Sequence, residues 1–159
     1  MAESRNADRA ALVVSLVAVG AVAVIGGLSS ANAGAEYQLL EQPSWAPPSW
    51  LFGPVWTVLY ISMAVAAWLV WRSNSPHRLP GLAAYGIQLV LNLAWTPLFF
   101  ALALRLAALV DIVVLDVALV VTIALFIRAS RTAGLLLVPY LGWVLFASAL
   151  NYSIWSLNA

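Results

Sequence analysis

The sequence predicts an all-α integral membrane protein, built as one bundle of five transmembrane helices. Hydrophobic residues make up 64% of its 159 residues and charged residues 8%, whereas ordinary soluble domains have roughly 45–50% and about 25%. A soluble domain of this length keeps too much of its area in contact with water to bury so many apolar side chains. We therefore expect a single membrane-embedded domain over residues 1–159.

Five segments of the chain have the length and composition of membrane spans, about 20 mainly apolar residues each. Their approximate bounds are 10–28, 50–71, 80–104, 107–127 and 134–155, and residues 29–48, the lid segment, connect the first two. Uninterrupted apolar runs without strand periodicity exclude a transmembrane barrel. Pro80 suits the first turn of the third helix. Pro97 and Pro139 fall inside the third and fifth helices, where each removes a backbone hydrogen bond.

The first span has an alternative interpretation as a cleaved signal peptide. Ala31-Asn32-Ala33 matches the pattern of small residues at a cleavage site. The apolar run is longer than the usual signal-peptide core of about 7–15 residues, and Glu3 and Asp8 interrupt the basic flank. We expect the helix to be retained.

The distribution of arginines predicts the orientation in the membrane. All basic residues are arginines; six of them (Arg5, Arg9, Arg72, Arg78, Arg128 and Arg131) lie on one side of the predicted bundle, and Arg105 lies alone on the other. Because basic residues concentrate in cytoplasmic loops, we expect a cytoplasmic N-terminus. The lid segment and the C-terminus are then outside.

Several kinds of chemistry are excluded or unsupported. The chain has no cysteine, which excludes disulfides and thiolate metal sites, and its one histidine, His77, lies in a polar loop. No phosphate-binding loop and no metal-ligand or catalytic spacing is present. The net charge is +1, and the sequence has no stripe of basic residues that would indicate nucleic-acid binding. We expect no cofactor, no metal and no nucleic-acid partner.

Large aromatic side chains share faces with hydrogen-bonding groups on three of the spans. At helical spacing, these faces contain Trp56, Tyr60, Met63 and Ala67 on the second span, Gln88, Asn92, Trp95 and Phe99 on the third, and Tyr140, Trp143, Ala147 and Asn151 on the fifth. Packing between helices explains any one such face. Three together favour an enclosed pocket, because ligand pockets are mostly apolar with a few placed polar groups.

Two acidic residues fall inside the fourth span, where a charge is costly. Asp111 lies near the predicted membrane boundary and near Arg105, so we expect an interfacial or paired carboxylate. Asp116 lies deeper, and we expect a polar partner for it inside the bundle or across a subunit interface.

Long motifs resemble those of the translocator protein family, whose bacterial members are called tryptophan-rich sensory proteins and whose mitochondrial member is the peripheral-type benzodiazepine receptor. The segments that carry the resemblance are Pro43–Trp50, Gly53–Tyr60, Gln88–Phe100, Ala108–Asp111, Val138–Trp143 and Leu150–Trp155. Together they extend over nearly the whole chain from about Glu36 onward.

The resemblance implies a dimeric five-helix bundle, here in a bacterial cell membrane, that binds porphyrins, sterol-like lipids or synthetic benzodiazepine-type ligands. The family pocket lies between the helices and under the first long loop. Carried over by motif, the ligand-binding residues are Trp45, Pro47, Trp56, Asn92, Trp95, Trp143 and Ala147. The sterol motif at the end of the fifth helix lacks its basic residue, because Ser156 stands in that position.

Three functions remain open: binding and sensing of tetrapyrroles, light- and oxygen-dependent porphyrin degradation, and transport of such ligands. We favour binding and leave enzymatic activity open; the lack of an internal repeat gives transport little support. Asn92 has two interpretations, a contact to ligand or pocket water and a hydrogen bond to a neighbouring helix. We favour the ligand contact, which predicts that Asn92→Leu weakens binding without loss of stability.

Overall fold

The computed structural model describes residues 2–29 and 33–159, and over these ranges the regular structure is entirely helical. Its helices are α1 (Ala2–Ser29), α2 (Ala33–Leu39), α3 (Phe52–Arg72), α4 (Arg78–Thr96), α5 (Arg105–Ala129), α6 (Arg131–Leu136) and α7 (Val138–Leu157). A short 3₁₀ turn, Ser49–Leu51, precedes α3, and a π-helical segment, Pro97–Ala101, follows α4.

The five expected spans are confirmed. Within the described ranges, five helical stretches are long and apolar enough to cross a membrane: Asn6–Gly26, Ser49–Arg72, Arg78–Ala101, Arg105–Ala129 and Arg131–Leu157. The protein is thus an integral membrane bundle. The proposed cleavage pattern cannot be compared with the structure, because Ala31 and Asn32 lie outside the described residues.

Both prolines inside the spans mark a change of helical form. Pro97 begins the π-helical segment, where the amide of Leu102 donates to the carbonyl of Pro97 at 2.9 Å. Pro139 is the second residue of α7, directly after the break at Leu137 that separates α7 from α6. A proline has no amide hydrogen to continue the ladder. Regular α-helix is interrupted beside each of them.

The core consists of small and medium apolar side chains packed between the spans. The buried face of α3 contains Leu59, Met63, Ala67 and Val70 at helical spacing. Helix α4 packs extensively on α5, while α1 packs on α3 and α5 packs on α7. The apolar side chains on the outer faces, including many valines of α5, are exposed, as expected for side chains that contact lipid.

Helix α1 begins earlier than predicted because contacts to α3 hold its polar start. The indole nitrogen of Trp68 donates to the carbonyl of Asp8 at 3.0 Å, and Arg72 pairs with the Asp8 carboxylate at 3.2 Å. Deeper in the span, the Ser15 hydroxyl donates to the carbonyl of Ala64 at 2.9 Å. These bonds fix α1 against α3.

Candidate functional site

A cavity of about 340 Å³ lies between α1, α3, α4 and α7, beside α2 of the lid segment. This volume is at the small end of the range for small-molecule sites, about 300–1,000 Å³. Aromatic side chains form much of its wall: Tyr37, Phe52, Trp56, Tyr60, Trp95, Phe99 and Phe100. Among the described residues that line the cavity, none has a charged side chain.

Two stacked aromatic pairs line this cavity from different helices. On α3, Trp56 stacks on Tyr60 with ring centroids 5.4 Å apart. From α4, Trp95 stacks on Phe99 of the π-helical segment at 5.2 Å. Such pairs stabilise the wall beyond simple area burial. Their faces and edges give the cavity flat apolar surfaces.

A chain of buried hydrogen bonds joins α3, α4 and α7 at the cavity wall. The Tyr60 hydroxyl donates to Asn92 Oδ1 at 2.9 Å, and Asn92 Nδ2 donates to the Tyr140 hydroxyl at 3.0 Å. Tyr140 in turn donates to Gln88 Oε1 at 2.9 Å. Asn92 therefore bonds to two neighbouring helices, which is the interpretation that the sequence did not favour, and it also lines the cavity.

A second pair of amide bonds fixes the Trp95 ring. Its indole nitrogen donates to Asn151 Oδ1 at 3.0 Å, and Asn151 Nδ2 donates to the carbonyl of Arg105 at 3.1 Å. Asn151 is buried on α7. The orientation of Trp95 is thus set by α7 and by the start of α5.

The lid segment contains a helix that the sequence did not predict. Tyr37 of α2 lines the cavity, and its hydroxyl donates to the carbonyl of Pro47 at 3.1 Å. The side chain of Gln42 donates to the Tyr37 carbonyl. Burial raises the pKa of the Tyr37 phenol above its ordinary value. These two bonds lie within the lid segment and fix its fold, while reciprocal bonds between Glu41 and Asn158 connect it to the end of the chain after α7.

Four of the seven residues expected in the site line the cavity: Trp56, Asn92, Trp95 and Ala147. Trp45, Pro47 and Trp143 are not among the residues that line it. Trp143 packs edge-on against Phe52 at 5.8 Å, and Trp45 packs on Phe146 at 5.7 Å. Pro47 contacts the site through the hydrogen bond from Tyr37.

Several lining residues were not identified from sequence. Phe52, Thr57 and Phe100 lie next to or near residues of the predicted faces, but their own spacing gives no separate signal. Ala23 comes from the apolar part of α1, whose sequence marks no inner face. The motif around Gly53 and Trp56 was the one signal that could have indicated Phe52 and Thr57.

The two acidic residues of α5 differ from each other in their surroundings. The Ser148 hydroxyl of α7 donates to Asp116 Oδ2 at 2.8 Å, which supplies the partner expected inside the bundle. Asp111 has a buried oxygen without a hydrogen-bond partner in the described structure, as does Asp116 at Oδ1, but no side chain donates to the other oxygen of Asp111. Of the two alternatives expected for Asp111, an interfacial carboxylate or one paired with Arg105, the pairing is absent, since the one ion pair among the described residues joins Arg72 to Asp8.

The comparisons with known proteins agree with this architecture. The sequence pattern of the TspO/MBR family matches residues 12–156. The chain belongs to the TspO/MBR family. It is 44% identical over 149 residues to the tryptophan-rich protein TspO of Archaeoglobus fulgidus, over 93% of this chain and 97% of that protein.

Other relatives in the TspO/MBR family match a shorter part of the chain. The tryptophan-rich protein TspO of Chlorobaculum tepidum is 49% identical over 126 residues, 77% of this chain and 78% of that protein. The human translocator protein is 38% identical over 125 residues, 77% of this chain and 74% of its own length. The family resemblance drawn from the tryptophan and proline motifs is therefore confirmed.

Proposed function

We propose that this member of the TspO/MBR family binds a porphyrin or a similar flat hydrophobic ligand in the cavity and senses it. The observation that carries the proposal is a cavity walled by stacked aromatic rings, with no charged side chain among its described lining residues. Flat apolar walls fit a macrocycle, and buried amides supply a few polar contacts. The carboxylates of a natural porphyrin then project away from the aromatic wall, because an unpaired buried charge is costly.

Within this proposal, the seven residues have two kinds of role. Trp56, Trp95, Asn92 and Ala147 contact the ligand, while Trp45, Pro47 and Trp143 support the wall and the lid segment.

Sterol-like lipids are a second ligand class that the apolar wall could accept. We propose a homodimer from family membership, and the arginine distribution supports a cytoplasmic N-terminus with the lid segment outside.

Trp56→Ala is expected to weaken porphyrin binding about tenfold, which corresponds to roughly 1.4 kcal/mol, because it removes one stacked wall of the cavity. The measurement is a protoporphyrin titration followed by the porphyrin's own absorbance. Trp71→Ala is the matched control, because Trp71 lies at the end of α3, outside the cavity lining. Equal affinities of the two variants would overturn the assignment of Trp56.

Light-dependent porphyrin degradation is the second candidate, supported by two indoles, Trp56 and Trp95, in the cavity wall. If the protein degrades porphyrin, wild type under light and oxygen should bleach the bound absorbance faster than Trp56→Phe does. Binding of porphyrin by Trp56→Phe is the required control. Equal bleaching rates at equal occupancy would contradict a role of Trp56 in degradation.

A further inference from the structure

A second cavity lies at the membrane boundary, on the face that also carries the lid segment. Its volume is about 550 Å³, and among the described residues it shares no lining side chain with the aromatic cavity. Residues 103–107 and Val110 form one side, and Trp155 with the end of the chain forms the other. Ala103, at φ 53°, turns the chain sharply here from the π-helical segment into α5.

Arg105 is the one cationic side chain among the described residues that line this second cavity, which we call the groove. None of those residues neutralises the charge of Arg105. Its Nε atom is buried and has no hydrogen-bond partner in the described structure. Among the described residues, no carboxylate of a side chain or of the chain end lies within ion-pair distance of the Arg105 guanidinium. The one ion pair in that set joins Arg72 to Asp8. A buried donor on a charged group is costly unless a ligand accepts its hydrogen bond.

The remaining walls of the groove are apolar and face outward. Leu104, Leu106 and Val110 are each more than half exposed. Exposed valines continue from Val110 along α5 towards the middle of the span, at Val113, Val114 and Val117. Trp155 lies at the end of the fifth span, at the level where tryptophans meet lipid headgroups. The unpaired guanidinium of Arg105 therefore lies at the beginning of a row of exposed apolar side chains on α5.

We propose that this groove is a specific site for a phospholipid. The guanidinium of Arg105 donates to two oxygens of the lipid phosphate, a geometry for which arginine is well suited. Trp155 packs beside the glycerol region, and an acyl chain follows the apolar side chains of α5. The Asn158 amide does not take part, because it already bonds to the carbonyls of Glu41 and Ile154.

Native mass spectrometry of the full chain in detergent, titrated with dioleoyl phosphatidylglycerol, tests the proposal. We expect wild type to bind one tightly held lipid per chain and Arg105→Gln to bind it about tenfold more weakly, the scale of a lost charged hydrogen bond. Arg105→Lys keeps the charge but loses the two-point geometry, so it should fall between them. Both substitutions retain the backbone carbonyl that accepts from Asn151.

Three comparisons distinguish a phospholipid site from a nonspecific lipid contact, a purely apolar site and a site for free phosphate. Arg131→Gln, at the start of α6 near the opposite end of α5, should bind the lipid as wild type does. Diolein, which has the same chains without phosphate, should bind about tenfold more weakly than the phospholipid. A millimolar excess of inorganic phosphate should not displace the lipid.

The proposal would be overturned by any of four results. These are equal binding by Arg105→Gln and wild type, an equal loss of binding in Arg131→Gln and Arg105→Gln, equal binding of diolein and the phospholipid, and displacement of the lipid by inorganic phosphate.

Discussion

Asn92→Leu is expected to lower the free energy of unfolding by about 2 kcal/mol, since an unsatisfied buried polar group costs roughly 1–3 kcal/mol. Leucine nearly preserves the volume but leaves the Tyr60 hydroxyl without an acceptor and removes the donor to Tyr140. Thermal unfolding in detergent measures the change. Asn74→Leu, in the exposed loop between α3 and α4, is the matched control and should unfold like wild type.

A double substitution shows whether the loss arises from the Tyr60 bond. With Tyr60→Phe in place, no hydroxyl of Tyr60 remains to be stranded, so Asn92→Leu should cost less than it does alone. Such coupling is expected for residues that share a hydrogen bond. An Asn92→Leu variant that unfolds at the wild-type temperature would contradict the role of Asn92 in joining α3, α4 and α7.

This expectation reverses the one drawn from sequence, and the reason is geometric. Helical spacing placed Asn92, Trp95 and Gln88 on one face of α4; in the structure Asn92 and Trp95 line the cavity, while Gln88 is buried and accepts a hydrogen bond from Tyr140. Spacing on one helix does not specify which side chains of other helices come within hydrogen-bond distance. The partners Tyr60 and Tyr140 therefore could not be assigned to Asn92 before the packing of the helices was known.

The spans themselves were predictable because hydropathy and length act along the chain. Each of the five spans has a run of apolar residues long enough to cross lipid, and Pro97 and Pro139 interrupt the backbone ladder wherever they fall. The ends of the helices were less predictable. The polar start of α1 is helical through contacts of Asp8 with Trp68 and Arg72, which the local composition does not indicate.

The lid segment and the part of the site around Trp143 and Phe52 were the least predictable from the sequence. Helix α2 has only seven residues, too few for a clear periodic pattern. Trp143 shares a face with Tyr140 and Ala147, but a ring as large as tryptophan can point past the cavity while its backbone faces it. In the structure Trp143 packs on Phe52, so Phe52 rather than Trp143 lines the cavity.

The central claim is that the aromatic cavity is the porphyrin site, and Thr57→Phe should weaken binding by placing a ring in that cavity. Thr57 lines it from α3, and its hydroxyl donates to the carbonyl of Gly53 in the same helix, at 2.9 Å. Loss of this local bond has little effect on a helix. Val58→Phe is the matched control, because Val58 is the next residue of α3 but is exposed on the outer face and does not line the cavity.

The deciding measurement is a protoporphyrin titration of both variants, followed by porphyrin absorbance, with thermal unfolding as a check on the fold. We expect the affinity of Thr57→Phe to fall by at least about tenfold, a change of roughly 1.4 kcal/mol, with its unfolding temperature close to that of wild type. Val58→Phe should bind as wild type does. Wild-type affinity in a folded Thr57→Phe variant would contradict the claim, because the ligand would then bind outside the aromatic cavity.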